Sequence, residues 1–290
     1  MAAKELAYFV TLVETQNFTR ASEKLFVTQP TISKALKSLE DSSGQPLVHR
    51  KGRDIELTEA GKVVYEHAIT ILSNISEMQQ RLDDMRELKS GHITIGIPPM
   101  VGHLYTELLQ EFSRSHPSIE VTVVEGGGRK IEQDLLSGDI DVALSMLPTR
   151  EDRFEYESVG DYPIYAVLPK DDKWLGESKL ELTELKDIPF YLYTSEFTIT
   201  QIIERLCQEK GFVPRVGIKS SQWDFLAAMV KSGLGVSFIP EPICRNLNPK
   251  DYCFRELSDE LRWRLALMWS RERYLSKASQ AFVDLVKSRT

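Results

Sequence analysis

The chain has 290 residues, of which 42% are hydrophobic, so it is long enough to form two or three compact units with cores of their own. Its net charge of -7 excludes a uniformly basic coat protein for nucleic acid, but the charge is uneven. Residues 1–64 carry nine Lys and Arg against eight Asp and Glu, whereas the remainder carries 27 against 35. Only the N-terminal part can therefore favour phosphate groups locally.

Cysteine usage and the N-terminus indicate the compartment. Cys207, Cys244 and Cys253 are odd in number and have no Cys-x-x-Cys spacing, which argues against a disulfide framework and a zinc site. No basic region precedes an apolar run at the N-terminus, and no apolar stretch approaches the roughly 18 residues of a membrane helix. We expect a soluble cytoplasmic protein without a metal or another cofactor.

Three helices are predicted in the first 43 residues. Apolar residues at helical spacing mark the buried face of each helix: Leu6, Phe9, Val10 and Val13 in the first, Ala21 and Leu25 in the second, and Ile32, Leu36 and Leu39 in the third. Thr28 is the expected N-cap of the third helix, where Pro30 is tolerated because the first turn has spare N–H groups. The tight turn between the second and third helices predicts a helix-turn-helix.

The polar face of the third helix has the composition of a DNA-reading surface. Its short side chains can reach base edges, and its lysines are suited to phosphates. The candidate residues on this face are Gln29, Pro30, Thr31, Ser33, Lys34 and Lys37. The alternative is an ordinary helical hairpin with a solvated polar face. A basic hairpin tip at Arg50–Arg53 favours DNA binding, because a cationic tip suits a minor groove or a row of phosphates.

At this point the chain resembles the LysR-type transcriptional regulators. The matching motifs are Phe18-Thr19-Arg20-Ala21-Ser22, Thr28-Gln29-Pro30-Thr31-Ile32-Ser33 and Leu57-Thr58-Glu59-Ala60-Gly61, with Ser22 in place of a second alanine. The resemblance implies that Gln29, Pro30, Thr31, Ser33 and Lys34 face the major groove. It also implies that Arg50 and Arg53 belong to the wing of a winged helix-turn-helix, which we place at residues 1–58.

A long helix is predicted over residues 59–89, since no Gly or Pro occurs between Gly61 and Gly91. Its apolar positions alternate in steps of three and four, which predicts a heptad seam: Ala68, Ile71, Ile75, Met78, Leu82 and Met85. The alternative is packing of this helix against its own domain. We favour a seam between two chains, because paired recognition helices match the two half-sites of a palindrome. The resemblance implies the same, with homodimers that assemble into homotetramers.

Residues 90–290 alternate between strands and helices, which predicts an α/β domain with parallel strands. Strands are expected at 92–97, 119–125, 140–146, 163–168, 190–193, 214–218, 235–239 and 263–269, with helices near 101–115, 129–137, 198–210, 222–232 and 276–287. We expect lobe one at about 90–162 and 266–290 and lobe two at about 163–265, with a cleft between them. This arrangement resembles the family's effector-binding domain, which is itself similar to periplasmic substrate-binding proteins.

The loops that follow the strands are the candidate ligand-binding residues. A helix starting near Val101 would offer free N–H groups to an anion, and the same holds near Thr198. The candidate effector-binding residues are Pro99, Met100, Val101, Gly102, Gly128, Met146, Thr194, Ser195, Phe197 and Thr198. Family members often have Ser or Thr at the position of Met100, so a less polar pocket floor is expected here. Gly126–Gly128 is predicted to be a permissive turn rather than a phosphate loop.

These features predict a DNA-binding transcriptional regulator whose arrangement on DNA changes when a small molecule occupies the cleft. Its expected partners are double-stranded DNA with an interrupted palindromic promoter site, the effector and a second copy of the chain, with RNA polymerase as a further candidate. The alternatives are a solute-binding receptor and an enzyme that acts in the cleft. The sequence has no catalytic triad or paired carboxylates, and Ser237 lacks the downstream glycine of a hydrolase elbow.

Overall fold

The computed structural model of the chain describes residues 2–51, 54–85, 91–102, 104–147, 149, 152–176 and 179–289. It divides into two compact units, Met1–Leu82 and Asp83–Thr290. The predicted linker helix crosses the boundary between these units. The bounds expected from sequence for the winged helix-turn-helix (1–58), the linker helix (59–89) and the effector-binding domain (90–290) remain predictions.

The first unit is a three-helix module followed by a hairpin. Its elements are α1 (Ala3–Thr15), α2 (Phe18–Lys24), α3 (Gln29–Ser43), β1 (Val48–Lys51) and β2 (Asp54–Leu57), and then the first part of α4 (Glu59–Asp84). The side chains of Phe9, Leu12, Ala21 and Leu39 are buried at its centre, as apolar burial by periodic helices requires. The predicted helices and hairpin are confirmed.

Phe26 has a backbone conformation and an exposure that are both unusual for an aromatic residue. It follows α2 with φ +52°, in the left-handed region where Gly and Asn are favoured. Its own N–H bonds the Glu23 carbonyl at 3.2 Å, and the N–H of Val27 bonds the Ser22 carbonyl at 3.0 Å, which together form a helix-ending motif. The side chain is 95% exposed, so packing does not offset the backbone strain.

We expect Phe26→Asn to stabilise the N-terminal module by about 0.5–1 kcal/mol, because Asn tolerates the left-handed conformation. Differential scanning calorimetry should show the transition of this module at higher temperature. Phe26→Ala is the control, since it removes the exposed ring without relieving the backbone. A gain as large in Phe26→Ala as in Phe26→Asn would show that the exposed ring, rather than the backbone conformation, is destabilising.

The apolar side chains of α4 fall into two groups, one buried in the first unit and one exposed. Ala68 is fully buried in the core of the first unit, so its predicted place in an intermolecular seam is wrong. Five later apolar side chains are between 40% and 80% exposed: Ile71, Ile75, Met78, Leu82 and Met85. Helix α4 ends at Asp84, and the predicted continuation over 86–89 lies outside the described residues. The exposed row therefore begins one step later than predicted.

The second unit contains two α/β lobes. Lobe one contains β3 (Gly91–Ile97), α5 (Thr106–Ser115), β4 (Ile119–Glu125), α6 (Gly128–Ser137), β5 (Val142–Leu147) and α10 (Lys277–Lys287). Lobe two contains β7 (Phe190–Tyr193), α7 (Thr198–Glu209), β8 (Val216–Ser220), α8 (Trp223–Lys231), β9 (Val236–Pro240), α9 (Glu241–Cys244) and β10 (Tyr252–Glu256), with short 3₁₀ turns at Asp172–Trp174 and Leu182–Leu185. Two further strands, β6 (Phe154–Pro169) and β11 (Arg262–Ser270), connect the lobes.

The strand order explains how the cleft is built. It runs β4-β3-β5-β11-β6-β9-β7-β8, with β10 paired to β6. Within each lobe the pairs β3–β4, β3–β5, β7–β8 and β7–β9 are parallel, whereas β6 and β11 pair antiparallel to their neighbours. Since parallel strands end at one edge, the loops after β3, β4 and β5 lie together in lobe one, as do those after β7, β8 and β9 in lobe two.

Three predictions for this unit are corrected by the structure. Helix α5 begins at Thr106 rather than near 101, because the N–H of Val101 bonds the Pro98 carbonyl at 2.9 Å in a preceding turn. Strand β6 begins at Phe154 rather than near 163, because it pairs with β11 as well as with β9. Strand β10 was missed because five residues without a clear alternation carry little sequence signal.

Candidate functional site

The buried face of α3 determines which of its side chains point away from the module. Ile32, Leu36 and Leu39 are at most 3% exposed and face α1 and α2. Helical geometry then turns the other predicted residues outward: Gln29, Pro30, Thr31, Lys34 and Lys37 are exposed, and Ser33 is half-buried. The polar face predicted from sequence is therefore present as one continuous surface.

Hydrogen bonds orient the N-terminal turn of α3. The Gln29 side-chain nitrogen, Nε2, donates to Thr19 Oγ1 at 2.7 Å, and the hydroxyls of Thr28 and Thr31 lie 2.9 Å apart. Thr28 is the N-cap residue, as predicted, but its side chain makes no capping hydrogen bond. The second N–H and the oxygen of the Gln29 amide stay available, which is the donor–acceptor pair that an adenine edge accepts.

The predicted wing is present as a backbone feature. Strands β1 and β2 pair antiparallel, with Arg50 opposite Ile55 and Lys51 opposite Asp54. Arg53, at the predicted tip, lies outside the described residues, and only the backbone of Arg50 is described. The hairpin immediately follows the loop after α3, so it belongs to the same module as the polar face.

The predicted cleft residues of lobe one differ in their surroundings. Met100 and Val101 are buried in the main core of the second unit, and Pro99 and Gly102 are half-buried. Because α5 begins only at Thr106, the expected anion site at a helix start near Val101 is wrong. Gly128 and Met146 are buried, the first at the start of α6 and the second near the end of β5.

The structure brings the start of α6 against the loop and helix start of lobe two. A Cβ atom at Gly128 would lie 3.2 Å from Thr198 Oγ1 and 3.5 Å from Ser145 Oγ. Thr194 is half-buried, Ser195 is exposed, and the Ser195 carbonyl accepts a hydrogen bond from Gln201 Nε2 at 2.8 Å. Ser145 was not predicted, because a buried serine in an apolar strand gives no sequence signal of its own.

Tyr193 is a second residue that the sequence did not identify. It is the last residue of β7, is 1% exposed, and packs against Phe197 with ring centroids 5.2 Å apart. Its hydroxyl has no hydrogen-bond partner among the described residues. Burial raises the pKa of this phenol, so it stays protonated at neutral pH.

The end of α4 is bonded to lobe one. Asp84 Oδ2 accepts hydrogen bonds from the Tyr274 hydroxyl and from the backbone N–H of Lys277, each at 2.9 Å. Lys277 Nζ also donates to the Asp84 carbonyl at 2.8 Å. Lys277 is the first residue of α10, which packs on β3 and α5. The last turn of α4 is therefore hydrogen-bonded to lobe one.

Ser237 and the three cysteines are buried in the protein interior. Ser237 Oγ is fully buried and donates to the Tyr191 carbonyl at 2.8 Å, so this hydroxyl is used within lobe two. Burial raises the pKa of Cys207 to about 12, and the negative charge of Asp259 makes a smaller contribution. Burial also raises the pKa of Cys244 to about 12, with a smaller contribution from the charge of Glu241. All three cysteines are buried and free.

We expect Cys207 and Cys244 to resist alkylation in the folded protein. The thiolate is the reactive form, and at pH 8 a thiol with a pKa near 12 is ionised to roughly one part in ten thousand. Iodoacetamide followed by peptide mass spectrometry should modify both residues only after unfolding in guanidinium. Rapid modification of either residue in the native protein at pH 8 would contradict this burial.

Within the described part of the chain, no three His, Cys, Asp or Glu side chains lie close enough to hold a metal ion. The helices of that part are also too short or too polar to cross a membrane.

Comparisons with known proteins match both units. Residues 3–62 match the profile of the bacterial regulatory helix-turn-helix protein, lysR family, and residues 86–290 match that of the LysR substrate binding domain. Among curated proteins, the chain is 36% identical to the HTH-type transcriptional regulator YwbI of Bacillus subtilis (strain 168), over 99% of this chain and 96% of that protein. It is 27% identical to the RuBisCO operon transcriptional regulator of Allochromatium vinosum, over 99% and 96%.

Solved structures give the same result. HinK, a LysR family transcriptional regulator from Pseudomonas aeruginosa, is 26% identical with a TM-score of 0.58, over 99% of this chain and 98% of that one. CbnR in complex with its target DNA has a TM-score of 0.66 over the whole of both chains at 21% identity, which shows a shared fold.

Proposed function

Because the chain belongs to the LysR family and is thus a DNA-binding transcriptional regulator with an effector-binding domain, we propose that α3 reads its operator. In this proposal Gln29, Pro30, Thr31 and Ser33 contact base edges, while Lys34 and Lys37 neutralise phosphates. The single observation that carries it is the exposed polar face of α3, opposite a fully apolar buried face. Arg50 and Arg53 then contact the backbone or the minor groove beside it.

The protein acts on DNA as a homodimer joined through the exposed apolar row of α4. A row of large apolar side chains at heptad spacing is too exposed to be stabilised within one chain, and it matches a second copy of itself. Two recognition helices then meet the two halves of an interrupted palindrome. Pairs of dimers form the homotetramer. RNA polymerase is the further protein partner, and the protein works in the cytoplasm.

The effector is a small molecule that occupies the cleft between the lobes. The proposed contacts are Pro99, Met100, Val101, Gly102, Gly128, Met146, Thr194, Ser195, Phe197 and Thr198. The buried Met100 and Val101 act as walls behind the pocket rather than as polar contacts. The Thr198 hydroxyl, which lies beside Gly128, supplies a donor. The protein regulates transcription rather than catalysing a reaction in this cleft.

Selection of binding sequences from random duplexes, followed by a salt titration of the selected DNA, tests this function. We expect one palindromic sequence with a steep loss of affinity as salt increases, because phosphate contacts release counterions. Failure to bind any duplex at low ionic strength would refute it. A thermal-shift screen of central metabolites against the full chain then identifies the effector class, since a ligand stabilises the folded state that it binds.

A further inference from the structure

Phe26 lies in the turn between α2 and α3. The side chains of its neighbours, Leu25 and Val27, are half-buried and pack against the core of the first unit, whereas the Phe26 ring is 95% exposed. No other large apolar side chain in the described part of the chain is as exposed. The ring is therefore held in solvent by a backbone that is anchored on both sides.

The backbone and the exposure of Phe26 both argue against a role within its own chain. Its φ of +52° is a conformation that Gly or Asn adopts with less strain. Hydrogen bonds from the N–H groups of Phe26 and Val27 to the carbonyls of Glu23 and Ser22 hold it there. A phenyl ring stabilises a fold by being buried, and this ring is not. A strained residue with an exposed ring indicates function rather than folding.

The turn lies to one side of the residues proposed to read bases. The hydrogen bond between Thr19 and Gln29, ten residues apart, brings the start of α2 against the start of α3. From that contact α2 continues for seven residues, which is about 10 Å at 1.5 Å per residue, before the chain turns back at Phe26. Phe26 therefore lies at the far end of a loop whose closed end carries Gln29.

The charges beside the turn disfavour a phosphate as the partner of the ring. Glu23 is exposed one helical turn before Phe26, and the ammonium of Lys24 is paired with Glu14 at 3.0 Å. A carboxylate in this position repels phosphates. An aromatic ring beside an acid instead matches an apolar pocket on another protein, with a basic side chain at its rim. We call Phe26 and Glu23 the turn surface.

We propose that the turn surface docks RNA polymerase bound at the same promoter, with Phe26 in an apolar pocket of the polymerase and Glu23 against a basic side chain. This inference rests on the proposed function, in which α3 holds the protein on its operator. A phenylalanine side chain buries about 150–250 Å². A stable interface needs roughly 1,000 Å², so this contact is too small to hold a second copy of the chain. It is sufficient between two proteins that one DNA molecule keeps at high local concentration.

Photo-cross-linking identifies the partner of the ring. The amino acid p-benzoylphenylalanine replaces Phe26 in the full chain, and it replaces Val213 in the control chain because Val213 is 85% exposed in lobe two. Each chain is mixed with purified RNA polymerase from its own organism on duplexes that carry the selected operator upstream of a promoter, at spacings that cover one helical turn. We expect position 26 to cross-link a polymerase subunit at a defined spacing and position 213 to cross-link none. A cross-link to DNA alone, equal cross-linking from both positions, or none at any spacing would overturn the turn surface.

Phe26→Asn and Phe26→Ala separate docking from folding and from DNA binding. We expect each to lower polymerase occupancy of the promoter beside the bound protein about tenfold, with unchanged operator affinity when polymerase is absent. Phe26→Tyr keeps the ring and should keep the occupancy. Because Phe26→Asn should also stabilise the module, its loss of docking cannot result from unfolding. A loss of operator affinity in Phe26→Asn and Phe26→Ala would assign the ring to DNA and overturn the inference. Failure of the unsubstituted chain to bind any duplex would refute the proposed function as well.

Discussion

Replacing Ile75 and Met78 together by glutamate should separate the proposed homodimer into monomers and lower its affinity for the selected operator about a thousandfold. Both side chains lie in the exposed row of α4, 40% and 54% accessible in the single chain. In a paired helix they face their own copies, so the double substitution places four carboxylates in an apolar seam. A monomer also loses the effective concentration that the first bound arm provides for the second.

The matched control is Ser73→Glu with Ser76→Glu. Neither residue lies three or four positions from a member of the exposed apolar row, so the pair adds the same charge to the same helix on another face. Sedimentation equilibrium should show monomers for the seam variant and the unsubstituted oligomer for the control. Fluorescence anisotropy should show weakened DNA binding for the seam variant and unchanged binding for the control. A seam variant that remains dimeric would place the dimer interface elsewhere.

Gln29→Ala and Ser33→Ala should each change which base the protein prefers at one position of every half-site, by about 10- to 100-fold. Gln29 is held by Thr19 with one N–H and its oxygen free, so its loss removes a donor–acceptor pair aimed at a base. Both substitutions keep a helix former in α3, and neither side chain belongs to the buried core.

Arg53→Ala gives the contrasting result, because an arginine bound to phosphate reads no base sequence. It should weaken binding evenly across duplexes and reduce the salt slope by about one for each phosphate that the arginine neutralised. Selection from random duplexes measures the base preference, and salt titrations on a fixed duplex measure the slope. An unchanged preference in both α3 variants would show that another surface reads the operator.

Periodicity identified the elements whose own sequence determines their fold. The buried stripe of α3 and the alternation of strands with helices follow from short-range spacing, so they were predictable. The start of α5 was not, because prolines are as compatible with the start of a helix as with a turn, and this turn depends on the Val101–Pro98 hydrogen bond. Ala68 was misplaced because a small residue fits a core and a seam equally well.

The DNA-reading surface was more predictable than the cleft, because its residues are close together in the sequence. The face of α3 is set by one helix and its buried side, which are local in sequence. The contacts of the cleft join residues far apart in the chain, such as Gly127 with Glu196 and Gly128 with Thr198. Tyr193 and Ser145 have no motif that distinguishes them from other strand residues.

On α4, the buried Ala68 and the exposed Ile71 are so close in sequence that the helix sets the angle between the DNA-binding module and the exposed apolar row. Only two residues separate the side chain buried in the DNA-binding module from the first exposed apolar one. Each residue inserted between them would rotate the DNA-binding module by about 100° about the helix axis relative to the exposed apolar row. An insertion of seven residues would restore the phase to within about 20°. An insertion of about 11 or about 18 residues would do the same, because each is close to a whole number of turns at 3.6 residues per turn.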